Sequence, residues 1–288
     1  MTKYSTIIAG TMTWGQWGKQ LSTKGMINLL HHCLETGITT FDHADIYGDY
    51  TTEAEFGKAF SESRISRGSI QLITKCGIQH TGKSRSNRIK HYNYSKEYII
   101  WSVEESLKNL KTDYLDLLLL HRPSPLMRAD EISEAIHTLQ KEGKVIDFGV
   151  SNFTPSQVEL INSKIPVSVN QIEFSITAFE AMHNGVLDQM LSSNIEPMAW
   201  SPLGHYYKEI TAQSVRIKEV LLNLKEKYNA SETQLLLAWI LKHPSGIKPV
   251  IGTTNKDRII ESFNATKIDL ELEDWFEILV ASQGHKVP

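Results

Sequence analysis

Residues 115–121 read Leu-Asp-Leu-Leu-Leu-Leu-His, an apolar run of strand length that ends in an imidazole. A run that is apolar at nearly every position is typical of a parallel strand buried on both faces. Two shorter runs have the same form: residues 38–42 end in Asp42, and residues 70–75 end in Lys75. The pattern predicts buried parallel strands that each present a polar side chain at the carboxyl end.

Such runs alternate with amphipathic stretches of helix length along the chain. The predicted strands are residues 6–12, 39–42, 70–75, 115–121, 145–151, 167–173, 196–201 and 247–252. The predicted helices are residues 23–36, 52–61, 95–110, 129–142, 155–162, 179–192, 214–228, 231–243 and 256–264. Strict alternation of this kind indicates an α/β fold with a parallel sheet.

The predicted sheet either closes into a barrel or stays open and doubly wound. An open dinucleotide-binding sheet is expected to carry a GxGxxG turn after its first strand. Residues 9–15, Ala-Gly-Thr-Met-Thr-Trp-Gly, do not match that turn. We therefore predict a (β/α)8 TIM barrel that forms a single domain over residues 1–288. Functional side chains of such barrels lie at the C-terminal ends of the strands.

Composition narrows the classes of partner. The 288 residues carry a net charge of −3 with both signs interspersed, which gives no electrostatic argument for a nucleic acid or a membrane surface. No apolar stretch approaches the roughly 18 residues of a membrane span. The two cysteines, Cys33 and Cys76, form no CxxC motif, so we expect a reducing, cytoplasmic location.

Four polar residues are expected together at one rim of the barrel: Asp42, Tyr47, Lys75 and His121. A phenol has an ordinary pKa of about 10, and a neighbouring ammonium stabilises its anion. A carboxylate can keep that ammonium charged, and an imidazole can orient a carbonyl oxygen. A tuned proton donor of this kind is what carbonyl reduction needs. Taken alone, each residue also has a structural explanation, such as a solvated lysine, a buried histidine or a helix cap.

The later strand ends supply candidates for binding a hydride carrier. Asn152 and Gln171 carry amides that suit a carboxamide, and Trp200 offers a flat indole face to a planar ring. Residues 252–255 precede a helix whose N-terminus attracts anions, and Arg258 lies in its first turn. Singly, these are ordinary loop residues, and Trp200 is also compatible with a core position.

The chain resembles the aldo-keto reductase family over nearly its full length, and most of all the YdhF-like branch of bacterial oxidoreductases. The resemblance rests on the order and spacing of residues 37–48, 72–75, 113–123, 141–153 and 199–204. It implies that Tyr47 donates a proton and that Lys75 lowers its pKa. It also implies that Asp42 pairs with Lys75 and that His121 orients the carbonyl.

The resemblance further implies a nicotinamide dinucleotide as cofactor. The implied contacts are Thr11 and Met12 near the nicotinamide, Ser151, Asn152 and Gln171 at its carboxamide, Trp200 on its ring face, Ser201, Leu203 and Gly204 at the pyrophosphate, Gly252, Thr253 and Thr254 before the last helix, Arg258 at the 2'-phosphate, and Glu261 and Ser262 at the adenosine. Arg258 favours NADP(H). Gly252 and Thr253 stand where many members have lysine and serine, which keeps NAD(H) as the alternative.

Three functions are compatible with these residues. The first is reduction of a small-molecule carbonyl compound by a monomer or weak oligomer. The second is a cofactor-binding sensor or regulatory module like the potassium-channel β subunits. The third is a metal-dependent barrel hydrolase that uses His43, Asp45 and His121; no HxH or HExxH motif completes its ligands, so no metal site is expected. The loops 77–94 and 205–211 and the tail 282–288 are expected to set the substrate.

Overall fold

The computed structural model describes residues 3–288 and contains a closed, parallel, eight-stranded barrel. Its strands are β1 (Ile8–Gly10), β2 (Thr40–Asp42), β3 (Gln71–Cys76), β6 (Leu115–Leu120), β7 (Val145–Ser151), β8 (Val169–Glu173), β9 (Glu196–Trp200) and β10 (Lys248–Ile251). β1 pairs with both β2 and β10, which closes the ring. The predicted (β/α)8 fold is confirmed. The first two residues of the predicted domain 1–288 lie outside the described residues.

Helices surround the barrel. They are α1 (Thr23–Thr36), α2 (Thr52–Ser63), α3 (Lys96–Leu110), α4 (Ala129–Lys141), α5 (Pro155–Asn162), α6 (Val186–Ser192), α7 (Ala212–Tyr228), α8 (Glu232–Leu241), α9 (Lys256–Asn264) and α10 (Leu272–Gln283). Local sequence starts them where predicted: Ser95 caps α3 by accepting from Tyr98 N–H, and Ser231 and Gln234 form a capping box at α8. In the described chain, no helix is both long enough and apolar enough to cross a membrane.

Three predicted features differ from the structure. The helix expected over residues 179–192 is broken, because Gly185 takes a left-handed φ of 80° and α6 begins only after it. The loop 77–94 contains a short antiparallel hairpin, β4 (Ile78–Gln79) with β5 (His91–Tyr92). The helix α10 was missed; it packs on α8 through stacked Trp239 and Trp275 rings, 5.0 Å apart.

The barrel interior is filled at the end opposite the predicted site. Its core side chains are Tyr4, Ile8, Ile73, Leu117, Leu119, Val169, Met198 and Val250. The phenol of Tyr4 donates to Asp147 and closes the N-terminal end. Polar side chains therefore gather at the C-terminal end, where Asp42 lies beside Ile73 and Cys76 beside Leu120 in the strand register.

Candidate active site

A buried ion pair stands at the C-terminal end of the barrel. The Lys75 ammonium donates to both carboxylate oxygens of Asp42 at 2.7 Å and to the main-chain oxygen of His43 at 2.8 Å. Lys75 is 1% exposed and Asp42 is 3% exposed. Burial alone would lower the pKa of Lys75, but the adjacent Asp42 carboxylate and Tyr47 phenol more than offset burial and raise it. The lysine therefore stays charged and fixed.

The phenol of Tyr47 lies 3.3 Å from this ammonium. Burial raises the pKa of Tyr47 above its ordinary value, and the Lys75 charge opposes that rise without overcoming it. Lys75 therefore acts in the predicted direction and lowers the pKa of Tyr47, but desolvation is the larger effect and the net change is a rise. At neutral pH the side chain is a protonated phenol, with a cation placed to stabilise its anion.

His121 completes what we call the rim cluster, consisting of Asp42, Tyr47, Lys75 and His121. Its ring lies edge-on to Tyr47 with the centroids 6.1 Å apart, and its main-chain N–H donates to Cys76. Burial and the charges of Lys75 and Arg122 lower the pKa of His121 well below its usual value. The imidazole is therefore neutral, and it retains one N–H to donate.

A strained turn follows Tyr47. Gly48, Asp49 and Tyr50 all have left-handed φ angles, of 62°, 55° and 70°. Neighbouring groups hold this turn: the Asp49 carboxylate accepts from the main-chain N–H of Lys83 at 2.8 Å, and the Tyr50 hydroxyl accepts from that of His80 at 2.9 Å. Strain of this kind persists only where surrounding contacts enforce it. The loop 77–94 thus fixes the segment that carries Tyr47.

Trp17 lies against Tyr47, and His80 lies against Trp17; neither was among the predicted site residues. The Trp17 ring lies 6.2 Å from the Tyr47 ring and 5.6 Å from the His80 ring. Both follow barrel strands, Trp17 after β1 and His80 after β3, which is the only sequence signal that marks them.

A chain of hydrogen bonds leads from the ion pair to Trp200. Gln171 donates its side-chain amide to Asp42 at 2.9 Å, and the Ser151 hydroxyl donates to the main-chain oxygen of Gln171 at 2.9 Å. Asn152 donates to Ser151 at 2.8 Å and accepts from the indole N–H of Trp200 at 2.9 Å. The four residues predicted to hold a nicotinamide are therefore adjacent and mutually oriented.

The first-strand residues behave differently from each other. Thr11 is fully buried, and its hydroxyl donates to the main-chain oxygen of Asp42 and lies 2.8 Å from Nδ1 of His43. Met12 is 45% exposed. Thr11 therefore supports the main chain of Asp42, whereas the contact of Met12 with a nicotinamide stays a prediction.

An open cleft of about 1200 Å³ adjoins the later strands. It is lined by all the residues predicted for the phosphates and adenosine: Ser201, Leu203, Gly204, Gly252, Thr253, Thr254, Arg258, Glu261 and Ser262. It is also lined by Asn255, from the predicted segment 252–255, and by residues that the sequence did not single out: Thr13, Gly18, Lys19, Tyr207, Lys208 and Thr233. In the sequence, Lys19 and Lys208 are marked by their position in the loops that follow β1 and β9.

The cleft fits an anionic ligand. The helix α9 begins at its edge, with Asn255 capping the N-terminus by accepting from Arg258 N–H at 3.0 Å. Lys19, Lys208 and Arg258 line the same space. Ser262 also lines this space, but its hydroxyl already donates to the main-chain oxygen of Arg258. Phosphate groups are the ligands that a helix N-terminus and several free cations favour.

Residues 6–279 match the model of the Aldo/keto reductase family. The chain belongs to the aldo-keto reductase family. It is therefore an NAD(P)H-dependent carbonyl oxidoreductase that acts on small molecules, as the resemblance of its motifs implied.

Relatives of this aldo-keto reductase agree with the assignment. It is 38% identical to the oxidoreductase YdhF of Escherichia coli (strain K12), over 99% of this chain and 96% of that protein, which confirms the predicted branch. It is 39% identical to the 6-dehydroglucose reductase of Agrobacterium fabrum, over 88% and 86% of the two chains. The crystal structure of the thermostable aldo-keto reductase Tm1743 superposes with a TM-score of 0.82 at 25% identity, covering 96% and 94%.

The residues considered for a metal centre do not gather in this aldo-keto reductase. His43 is fully buried against Thr11, and burial lowers its pKa to about 3. Asp45 accepts from Ser102 at 3.3 Å instead of facing His121. Within residues 3–288, no three His, Cys, Asp or Glu side chains lie together as metal ligands.

Proposed function

We propose that the protein reduces aldehydes or ketones to alcohols and that Tyr47 donates the proton to the carbonyl oxygen. The observation that carries this proposal is the 3.3 Å approach of the Tyr47 phenol to an ammonium that Asp42 holds in place. When bound, the reduced nicotinamide supplies a hydride to the carbonyl carbon. The remaining work of the reaction falls to the side chains of the rim cluster.

Each member of the rim cluster has a distinct role in this proposal. Tyr47 starts as a neutral phenol because burial raises its pKa. As it gives up its proton, the developing phenolate is stabilised by Lys75, whose own charge Asp42 secures. His121, neutral for the reasons given above, donates its N–H to the carbonyl oxygen and orients it. General acid catalysis of this kind contributes about 10²–10⁴-fold in rate.

We propose that NADPH is preferred over NADH. Lys19, Lys208 and Arg258 are the cations that support this preference, because a 2'-phosphate adds about two negative charges to the ligand in their cleft. Gly252 and Thr253, where many family members carry lysine and serine, leave Arg258 as the cation of α9 that lines the cleft. The residues Ser151, Asn152, Gln171 and Trp200 are proposed to hold the nicotinamide end.

A titration with NADPH and with NADH, followed by a carbonyl screen, tests the proposal. We expect NADPH to bind more tightly and to be oxidised when aldehydes are added, including sugar aldehydes of the kind that the Agrobacterium relative's name specifies. Tight NADPH binding with no turnover on any aldehyde or ketone would contradict the reductase proposal and favour the cofactor sensor. Tighter binding of NADH would contradict the preference alone.

A further inference from the structure

Arg122 follows His121 and has a rigidly fixed main chain. Its N–H donates to the phenol oxygen of Tyr94 at 3.1 Å, and the same phenol donates to its carbonyl oxygen at 2.5 Å. Tyr94 is itself buried, and Pro123 restricts the backbone of the residue before it. The side chain of Arg122 therefore starts from a position that is set by two neighbours, Tyr94 and Pro123.

The guanidinium of Arg122 has no hydrogen-bond or ion-pair partner in the described chain, and it lies over the face of the Trp200 ring. Four arginines are partly buried in the described chain: Arg67, Arg85, Arg122 and Arg216. Arg67 bonds Asp116 and Thr112, Arg85 bonds Gln79 and Tyr98, and Arg216 bonds two main-chain oxygens. Within residues 3–288, Arg122 alone of the four makes no side-chain hydrogen bond and no ion pair. Its N–H donors are partly exposed and have no acceptor in the described protein, so they are available to a ligand.

The free guanidinium lies beside the reacting groups. Its central carbon is 5.3 Å from the centroid of the Trp200 ring, the residue proposed to face the nicotinamide. Its charge acts on both proton-bearing partners of the carbonyl, lowering the pKa of His121 and opposing the rise in that of Tyr47. A carbonyl oxygen held between Tyr47 and His121 would thus place the next substrate atoms near Arg122.

We propose that Arg122 binds an oxygen atom of the substrate close to the reacting carbonyl, and that the natural substrates are oxygen-bearing carbonyl compounds, such as hydroxyaldehydes or acid aldehydes, rather than plain alkyl ones. The proposal rests on the carbonyl-reducing function above and specifies its substrate class. A guanidinium presents its donors in a planar fork that suits carboxylates and paired hydroxyl oxygens. A hydrogen bond to a charged group of this kind changes kcat/KM by about 10- to 100-fold.

Matched aldehyde pairs test this proposal. We would measure kcat/KM, corrected for the free aldehyde, for glyceraldehyde against propanal and for succinic semialdehyde against butanal. We expect the wild-type protein to favour the oxygenated member of at least one pair about 10- to 100-fold. The first pair reports a hydroxyl and the second a carboxylate, so the larger ratio identifies which oxygen Arg122 binds.

Three variants separate this role from others. In Arg122→Gln the ratio should fall towards one, and Arg122→Lys should retain part of it because the charge remains. Arg128→Gln is the matched control: Arg128 is an exposed arginine that pairs with Glu131, so its loss should leave the ratio unchanged.

Two results would overturn the proposal: a wild-type ratio near one for both pairs, or an Arg122→Gln variant that keeps the wild-type ratio. A proportional loss on every aldehyde would also overturn it and would assign Arg122 to tuning Tyr47. Failure to oxidise NADPH with any aldehyde, propanal included, would instead contradict the proposed function itself.

Discussion

The rim cluster and the open cleft handle charge in opposite ways. In the rim cluster, Lys75 and Asp42 are almost fully buried and satisfy each other at 2.7 Å. In the open cleft, Lys19, Lys208 and Arg258 are exposed, and within residues 3–288 their side chains form no ion pair or hydrogen bond with the protein. The difference teaches that proton transfer needs a geometry fixed before the substrate arrives, whereas anion binding needs charges left free for the ligand.

Lys75→Met removes the buried ion pair of the rim cluster and should have the largest effect on turnover. Without the ammonium the Tyr47 phenolate loses its nearest cation, so we expect kcat to fall about 10²–10⁴-fold. The Asp42 carboxylate would also be left buried without its partner, which costs about 3–5 kcal/mol of unfolding free energy. Steady-state kinetics and urea denaturation measure the two effects.

The double variant Asp42→Asn/Lys75→Met separates stability from chemistry. Removing both charges should recover much of the lost unfolding free energy, because no unpaired carboxylate remains. Turnover should not recover with it. Recovery of kcat in the double variant would show that the single variant failed only because it was unstable.

Arg258→Gln tests the proposed role of the open cleft in binding the 2'-phosphate. The loss of one charge-assisted hydrogen bond to the 2'-phosphate, about 1.5–3 kcal/mol, should raise the KM for NADPH about 10- to 100-fold. The KM for NADH and the kcat with saturating NADPH should change little. Arg128→Gln is the matched control, since Arg128 pairs with Glu131 on the surface. Equal effects on NADPH and NADH would contradict the assignment of Arg258 to the 2'-phosphate.

Asp45 sharpens the comparison because it is a buried carboxyl without a cation of its own. With Glu53 and Arg85 it lines a separate cavity of about 260 Å³. Burial, reinforced by Glu53 and opposed by Arg85 and Ser102, raises its pKa to about 8. In the unfolded chain the pKa of an aspartate is about 3.9, so the folded state holds an extra proton between these two values. The contribution of Asp45 to the free energy of unfolding is therefore fully present below about pH 4 and is lost as the pH rises through 8.

Asp45→Asn should remove this pH dependence. We expect the wild-type protein to lose on the order of 1–3 kcal/mol of unfolding free energy relative to the variant between pH 6 and pH 9. Urea denaturation of both proteins at the two pH values measures the difference. An unchanged difference would show that Asp45 is already ionised at pH 6 in the folded protein.

Much of the fold could be predicted because strand ends and helix caps are local signals. The largely apolar run at 115–120 predicts a strand, and the capping box at Ser231 predicts the start of a helix. The hairpin β4–β5 could not be predicted, since strands of two residues are defined only by their pairing, here across residues 80–90. Similarly, α10 was missed because its packing on α8, through Trp239 and Trp275, depends on contacts far apart in sequence.

The site residues also divide into those that local sequence predicts and those that depend on contacts between distant parts of the chain. The ion pair between Asp42 and Lys75 was predictable because both residues end neighbouring strands. The net rise in the pKa of Tyr47 was not, because desolvation depends on what surrounds the phenol in space. Arg122 could not be identified from the sequence for a related reason: only the folded structure shows that its guanidinium has no hydrogen-bond acceptor among the described residues. Cytoplasmic location and oligomeric state stay predictions.

A single-turnover experiment on Tyr47→Phe tests the central claim most directly. The variant is mixed with NADPH, the NADPH dissociation constant is measured, and excess aldehyde is then added while NADPH oxidation is followed in a stopped-flow instrument. We predict that the rate falls about 10²–10⁴-fold while the dissociation constant stays within about twofold of wild type. A wild-type rate in Tyr47→Phe would contradict the assignment of Tyr47 as proton donor.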